Sequence, residues 1–151
     1  MIEVRPPKSD MFSDPADAYV NPVNTVGIMG KGLAREFKHR FPNASRQYIT
    51  EATAGRMQPG RVLVTQDQPD QLPYILHFPT KQHWRHRSHI VLILSGMDAL
   101  SQILYNFPIR SINIPALGCG LGGLTWPQVE RIIRTSLARH PAVHARLYPP
   151  Y

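Results

Sequence analysis

A single cysteine, Cys119, leaves this chain of 151 residues no internal disulfide and fits a reducing compartment. Long apolar runs are also missing. Ile90–Leu94 is the longest, far short of the roughly 20 residues of a membrane span. Met1-Ile2-Glu3-Val4-Arg5 carries charge where a secretory leader needs an apolar segment. A cytoplasmic protein without membrane attachment is expected. Acidic residues are scarce, 10 against 17 lysines and arginines, for a formal charge of +7. Such a surface draws polyanions, nucleic acid among them, although a soluble basic protein with no such partner has the same charge. Repeats, low-complexity tracts and linkers are absent. What is present is one domain's length of chain, residues 1–151, with 42% hydrophobic residues, enough for one good-sized core.

The 15 prolines are scattered as punctuation between elements. Ala18-Tyr19-Val20 reads as a short strand ending at Asn21-Pro22. Gly32 to Arg40 reads as a helix with Leu33, Phe37 and Phe41 on one face, ended by Pro42. Asn43 is placed to cap a second helix running to about Ala54 and stopped by Gly55. Arg61–Thr65 and Tyr74–Phe78 are apolar, β-rich runs bounded by proline and glycine, hence strands. Ile90–Leu94 is ambiguous alone. Extended onward, Ile90, Ile93, Met97, Leu100 and Leu104 recur at helical spacing, so the spacing predicts a helix over Ser88–Tyr105 with Ser88 as N-cap. Arg110–Pro115 alternates like a strand. Thr125, Pro127 and Gln128 form the opening of a helix with a capping box, whose stripe is Val129, Ile132, Ile133 and Leu137. His144–Tyr148 is a last strand. Alternating strands and helices imply an α/β fold with a largely parallel sheet and helices on both faces.

Two glycine-rich segments each follow a strand and precede a helix: Asn21 to Gly32, and Pro115 to Gly123. Open α/β sheets bind ligands at the carboxyl ends of strands. Glycine lets backbone N–H groups approach an anion, and a helix N-terminus behind the loop adds favourable partial charge. One such loop is commonly just a tight connection; two facing loops suit a diphosphate. Neither is a P-loop, since no Gly-Lys-Ser/Thr stands at the required spacing. Neither fits Gly-x-Gly-x-x-Gly with its later acidic residue, which disfavours a nicotinamide-dependent oxidoreductase.

The run Ala18-Tyr-Val-Asn-Pro-Val-Asn-Thr-Val-Gly-Ile-Met-Gly-Lys-Gly-Leu-Ala34 resembles the first signature of macrodomains, in the subgroup with Val-Gly-x-Met-Gly-Lys-Gly. Pro115-Ala-Leu-Gly-Cys-Gly-Leu-Gly-Gly-Leu-Thr-Trp126 resembles the second signature loop. Between them, His77-Phe-Pro-Thr-Lys-Gln-His-Trp-Arg85 is similar to a stretch of the DNA ADP-ribosyl glycohydrolases, the DarG antitoxins. The resemblance covers nearly the whole chain, with three motifs in order. It implies a three-layer α/β/α macrodomain with a mixed, largely parallel sheet, and a monomer that binds ADP-ribose without a cofactor. It also implies removal of ADP-ribose from DNA bases, with ADP-ribosylated single-stranded DNA as substrate and a cognate DNA ADP-ribosyltransferase toxin as partner.

By the same resemblance Asp10 hydrogen-bonds adenine, with Met11 beside it, and Ser9 replaces the usual glycine. Asn21 and Asn24 match asparagines at the distal ribose. Thr25, Gly27, Met29, Gly30, Lys31 and Gly32 match the first loop around diphosphate and distal ribose. Leu117, Gly118, Cys119, Gly120, Leu121 and Gly122 match the second. Pro79 and Thr80 match ligand contacts leading to Lys81, and Lys81 and Asn24 are the implied catalytic residues at the reacting end of the cleft. Related glycohydrolases of terminal ADP-ribose on proteins carry an aspartate in the second loop; Gly122 stands there, so a lysine–aspartate pair is absent.

Breaking the bond at the anomeric carbon of the distal ribose needs a proton for the leaving group or a nucleophile. A lysine can supply either, the second only as a neutral amine whose pKa has been lowered by desolvation or by cations such as Lys31, Arg85 and Arg87. A lysine that merely binds phosphate is the plainer alternative. His83, Trp84, Arg85 and Arg87 mix aromatic and basic groups as a single-stranded nucleic-acid contact does, or form a solvated basic loop. His83, His86 and His89 lack metal-ligand spacing, and no metal is expected. Cys119 reads as loop packing more than as a nucleophile. Two alternatives to the DNA-directed glycohydrolase stay open. One is a glycohydrolase or phosphatase acting on protein-linked ADP-ribose or ADP-ribose 1''-phosphate; the other is a non-catalytic ADP-ribose reader.

Overall fold

The computed structural model describes residues 1–150. Its strands are β1 (Ile2–Val4), β2 (Ala18–Asn24), β3 (Leu63–Gln66), β4 (Tyr74–Lys81), β5 (Ser111–Pro115) and β6 (His144–Tyr148). Its helices are α1 (Gly32–Arg40), α2 (Pro42–Thr53), α3 (Ile90–Asn106) and α4 (Trp126–Leu137). They build one six-stranded sheet in the order β1-β6-β5-β2-β4-β3. All neighbours run parallel except β3 against β4. This is the largely parallel α/β sheet that the alternation of elements implied, and its one antiparallel pair makes it the mixed sheet that the resemblance implied.

Consecutive strand residues point to opposite faces, and the core divides accordingly. Val20, Leu76 and Phe78 share one cluster with Ile93, Met97 and Leu100 of α3 and Val129, Ile133 and Leu137 of α4. Tyr19 and Ile75 share the other with Phe37 of α1 and Ala44, Tyr48 and Ala52 of α2. Strands buried on both sides explain why they read as near-continuous apolar runs. Among the described residues no helix is long and apolar enough to cross a membrane.

Several boundaries differ from the sequence reading. Pro42 opens α2 at its first turn, where the missing N–H costs nothing, and so does not merely end α1. Asn43 is no cap. Its backbone N–H and that of Ala44 donate to Asp67 Oδ1 at 2.8 and 3.1 Å, a cap supplied from 24 residues away. His89, not Ser88, precedes α3. Thr125 does precede α4, but its hydroxyl donates to Gln128 Oε1 at 2.9 Å instead of accepting from the backbone. Strands β2 and β4 run further than expected, to Asn24 and Lys81, because they pair with each other along their whole length. Strand β3 starts at Leu63, two residues later than expected. The three-residue β1 has no periodicity to announce it; it is held by its pairing with β6.

Candidate functional site

Strands β2 and β5 are neighbours whose chains leave toward opposite faces, β2 into α1 and β5 into α4. That is a topological switch point, where open α/β sheets leave a crevice at the carboxyl ends. The register shows it opening. The β2–β5 pairing ends at Tyr19↔Asn113, while β2 continues beside β4 to Asn24↔Lys81. Loop 1 (25–31) and loop 2 (116–125) flank this crevice, and a third segment (82–89) follows Lys81. The three are tied together. The Thr25 N–H and hydroxyl both donate to the Gln82 carbonyl, at 3.2 and 2.5 Å, and the Ser88 N–H donates to the Gly122 carbonyl at 3.0 Å.

Loop 1 is wound around one side chain. Asn24 Oδ1 accepts from the backbone N–H groups of Val26, Gly27 and Ile28 at 3.0–3.2 Å, and its amide donates to the Ile28 carbonyl at 2.9 Å. The buried Tyr48 hydroxyl donates to the Asn24 carbonyl at 2.6 Å and lies 3.1 Å from Oδ1. Burial pushes the Tyr48 phenol far above its usual pKa, so it stays a donor. Asn24 thus spends its polar atoms on loop shape. Within the loop Met29 is buried in the core, Gly30 and Lys31 are exposed, and Gly32 opens α1.

Tyr48 stacks on His77 with ring centroids 5.2 Å apart. His77 is fully buried, and burial pulls its pKa down to about 3, so the ring is neutral. Asn21 Nδ2 lies 3.2 Å from Nδ1, and Thr65 Oγ1 lies 2.8 Å from Nε2. An amide NH2 only donates, so Nδ1 accepts and Nε2–H donates to Thr65, whose hydroxyl passes on to the Ile75 carbonyl. Asn21 is buried with Oδ1 unpartnered. Tyr48 and Thr65 escaped sequence reading. His77, a polar residue inside the apolar run Tyr74–Phe78, was the one signal available.

Lys81 ends β4 directly across from Asn24. It is half-buried, and burial holds its ammonium below the usual lysine pKa. Pro79 and Thr80 are buried beneath it, with the Thr80 hydroxyl 3.5 Å from the Val23 carbonyl. Beyond Lys81, His83 and Trp84 stack at 5.3 Å and the Arg85 guanidinium lies 4.6 Å over the Trp84 ring. Arg87 is exposed beside Gly123.

Loop 2 is held by close packing. A Cβ at Gly122 would stand 2.3 Å from Ser88 Oγ and 2.5 Å from the Gly118 carbonyl oxygen. Gly118 has φ 73°, and a Cβ there would meet Leu124 at 2.8 Å. The missing aspartate is therefore sterically excluded as well as absent. Leu117 is buried in the core and Cys119 is half-buried, whereas Gly120 and Leu121 are exposed at the tip. Burial pushes the Cys119 thiol up to about 11, which leaves no thiolate for nucleophilic work.

At the far end, the Asp10 carboxylate accepts from the Phe12 N–H at 2.9 Å and the Ser13 hydroxyl at 3.1 Å, capping a one-turn 3-10 helix over Met11–Ser13. Met11 is a core residue whose carbonyl accepts from Asn113 of β5. Phe12 packs edge-on against Phe37 and fastens this turn to α1. Lys8, with φ 66°, takes the left-handed position of the preceding turn, so Ser9 is unstrained. The two glycine loops and the Lys81 segment converge, and the Asp10–Ser13 turn is fastened through Met11 to Asn113, where the β2–β5 ladder ends.

The sequence model of the Macro domain matches residues 20–133. A protein of Thermus aquaticus named DNA ADP-ribosyl glycohydrolase is 40% identical over 95% of this chain and 40% of its own length. The chain spans about 40% of the length of that relative. The macrodomain of Mycobacterium tuberculosis DarG superposes with a TM-score of 0.94 at 36% identity, covering 100% of this chain and 99% of the other. A protein of Thermosipho africanus named DNA ADP-ribosyl transferase-DNA ADP-ribosyl glycohydrolase fusion protein is 32% identical over 79% of this chain and 35% of its own length. A Thermosipho africanus DarTG structure in complex with ADP-ribose superposes at 0.85 and 31% identity, covering 95% of this chain and 40% of that one. With its two signature loops flanking the switch-point crevice and the family match spanning most of its length, the chain belongs to the Macro domain family.

Proposed function

We propose that this chain is a glycohydrolase domain that binds ADP-ribose in the β2–β5 crevice and removes it from DNA bases. The observation that carries the reading is Lys81: a half-buried lysine with a lowered pKa, facing Asn24 across the strand pair at the crevice mouth. The named activity of the Thermus aquaticus relative supports the substrate. Asp10 and Met11 serve the adenine end, and loops 1 and 2 serve the diphosphate and distal ribose. His83, Trp84, Arg85 and Arg87 meet the strand that carries the modified base, offering stacking faces and charge. Asn24 acts by shaping loop 1. The fused transferase of the Thermosipho africanus relative points to a toxin of that class as partner. A cytoplasmic monomer completes the reading.

Two routes use the same lysine: an ammonium protonates the leaving nitrogen as the C–N bond breaks and water adds to the anomeric carbon, or a neutral amine attacks that carbon, the base leaves with a proton from solvent, and the adduct opens to a Schiff base that water hydrolyses. Burial, which disfavours the charged form, favours attack. The test is release of ADP-ribose from a modified single-stranded oligonucleotide by wild type and Lys81→Ala, with free ADP-ribose binding measured for both. We expect turnover to fall by roughly 10²–10⁴ with binding kept, the range of one acid–base or nucleophilic group. Borohydride trapping of an adduct on Lys81 distinguishes attack from protonation. Tight ADP-ribose binding with no wild-type turnover would sink the DNA-directed reading and leave a reader or an enzyme for protein-linked ADP-ribose or ADP-ribose 1''-phosphate.

A further inference from the structure

A groove of about 590 Å³ runs outside the crevice, between α1 and α2. It begins at Met29 and Gly30 of loop 1 and is lined by Arg35, Lys38, His39 and Arg46. Arg35, Lys38 and His39 follow i, i+3, i+4 spacing and so share one face of α1. Arg46 comes to them from α2. None of the four forms an ion pair among the described residues. The acidic residues of these helices are taken elsewhere: Glu36 pairs with Arg40 at 2.9 Å, and Glu51 with Arg56 and Arg61 at 2.9 Å each. Among the described residues no carboxylate lines the groove, and Ile49 adds apolar surface to it.

We infer that this groove holds the phosphodiester backbone of single-stranded DNA, carrying the nucleotides next to the modified base. The inference rests on the function proposed above and adds a strand path to it. With the modified nucleotide at Lys81, its neighbours leave over loop 1 or over the His83–Arg87 segment, because Thr25 and Gln82 join those two at the crevice mouth. The His83–Trp84–Arg85 stack offers faces for bases. The α1–α2 groove, on the other side of loop 1, offers Arg35, Lys38 and Arg46 as cations without ion pairs among the described residues. A small anion needs donors converging on one point; cations spread over two helices suit a chain of phosphates.

The test is anisotropy titration of an unmodified single strand of about 12 nucleotides, within the roughly 4–16 nucleotides that an OB-fold single-strand binder covers, over a series of salt concentrations. Wild type is compared with Arg35→Gln/Lys38→Gln/Arg46→Gln. A control, Arg110→Gln/Arg131→Gln/Arg139→Gln, removes the same charge at exposed positions away from the groove. We expect the groove variant to bind roughly tenfold more weakly at low salt. Its log–log salt slope should be shallower by about 2, since each phosphate left without its cation takes about 0.7 from the slope. The control should follow wild type, and all three should bind free ADP-ribose alike. Equal weakening of both variants, or no strand binding by wild type, overturns the groove. Release of ADP-ribose from a modified mononucleoside tests the enzyme reading separately: intact release with no groove-dependent binding overturns the groove alone. Groove-dependent binding without release from any substrate overturns the enzyme reading alone.

Discussion

Loop 1 and loop 2 flank the same crevice but are shaped by opposite means. Loop 1 is held by side-chain polar atoms, with Asn24 collecting three backbone N–H groups and Tyr48 bracing it from α2. Loop 2 is held by the lack of side chains, with Gly118 and Gly122 packed against Ser88 and Leu124. A polar clasp fails when its donors or acceptors change. A packed glycine turn fails when anything is added. The crevice therefore has one wall sensitive to chemistry and one sensitive to volume.

The volume-sensitive wall gives the largest expected effect. Gly122→Asp forces a Cβ into Ser88 Oγ and a carbonyl oxygen, and overpacking of this kind costs on the order of 3 kcal/mol. Thermal unfolding should fall by roughly 10 °C for a chain of this length. Gly122→Ala should lose nearly as much, because the clash begins at Cβ; an unchanged melting temperature in both refutes the packing argument. Next comes Asn24→Ala, which strips three N–H groups of their acceptor for a cost of about 2 kcal/mol. Hydrogen exchange should quicken in loop 1 and stay unchanged in loop 2.

Acid should act on the same wall more gradually. His77 is neutral when folded, with its pKa at about 3 against 6.5 unfolded. Between those values the unfolded chain binds the extra proton, so stability is lost as pH falls from 6.5 toward 3, by about 1.4 kcal/mol per pH unit for one group. His140 shifts in the same direction through burial and the nearby Arg139 charge. Denaturant unfolding at stepped pH checks the slope. His77→Gln should flatten it above the carboxylate range; an equal slope in that variant assigns the effect elsewhere.

Much of the architecture was legible because burial on both faces of the sheet leaves apolar runs, and helices leave their stripe, as in Val129, Ile133 and Leu137. What escaped depended on distance along the chain. Asp67 caps α2 from 24 residues away, and β1 exists only through β6. The loops of the site were legible from their glycines, whereas Lys81 was singled out by resemblance alone. The reason Asn24 matters was not, since its partners include Tyr48 of another element. Nor was the closure at Gly122, which depends on Ser88 arriving from a different loop.

The parting of β2 from β5 beyond Tyr19 and Asn113 has a mechanical consequence. Beyond that point the ladder no longer joins β2 to β5, and the two halves of the sheet hold together through the core they share under α3 and α4. A ligand lodged in the notch would brace the strand ends that the ladder leaves unjoined.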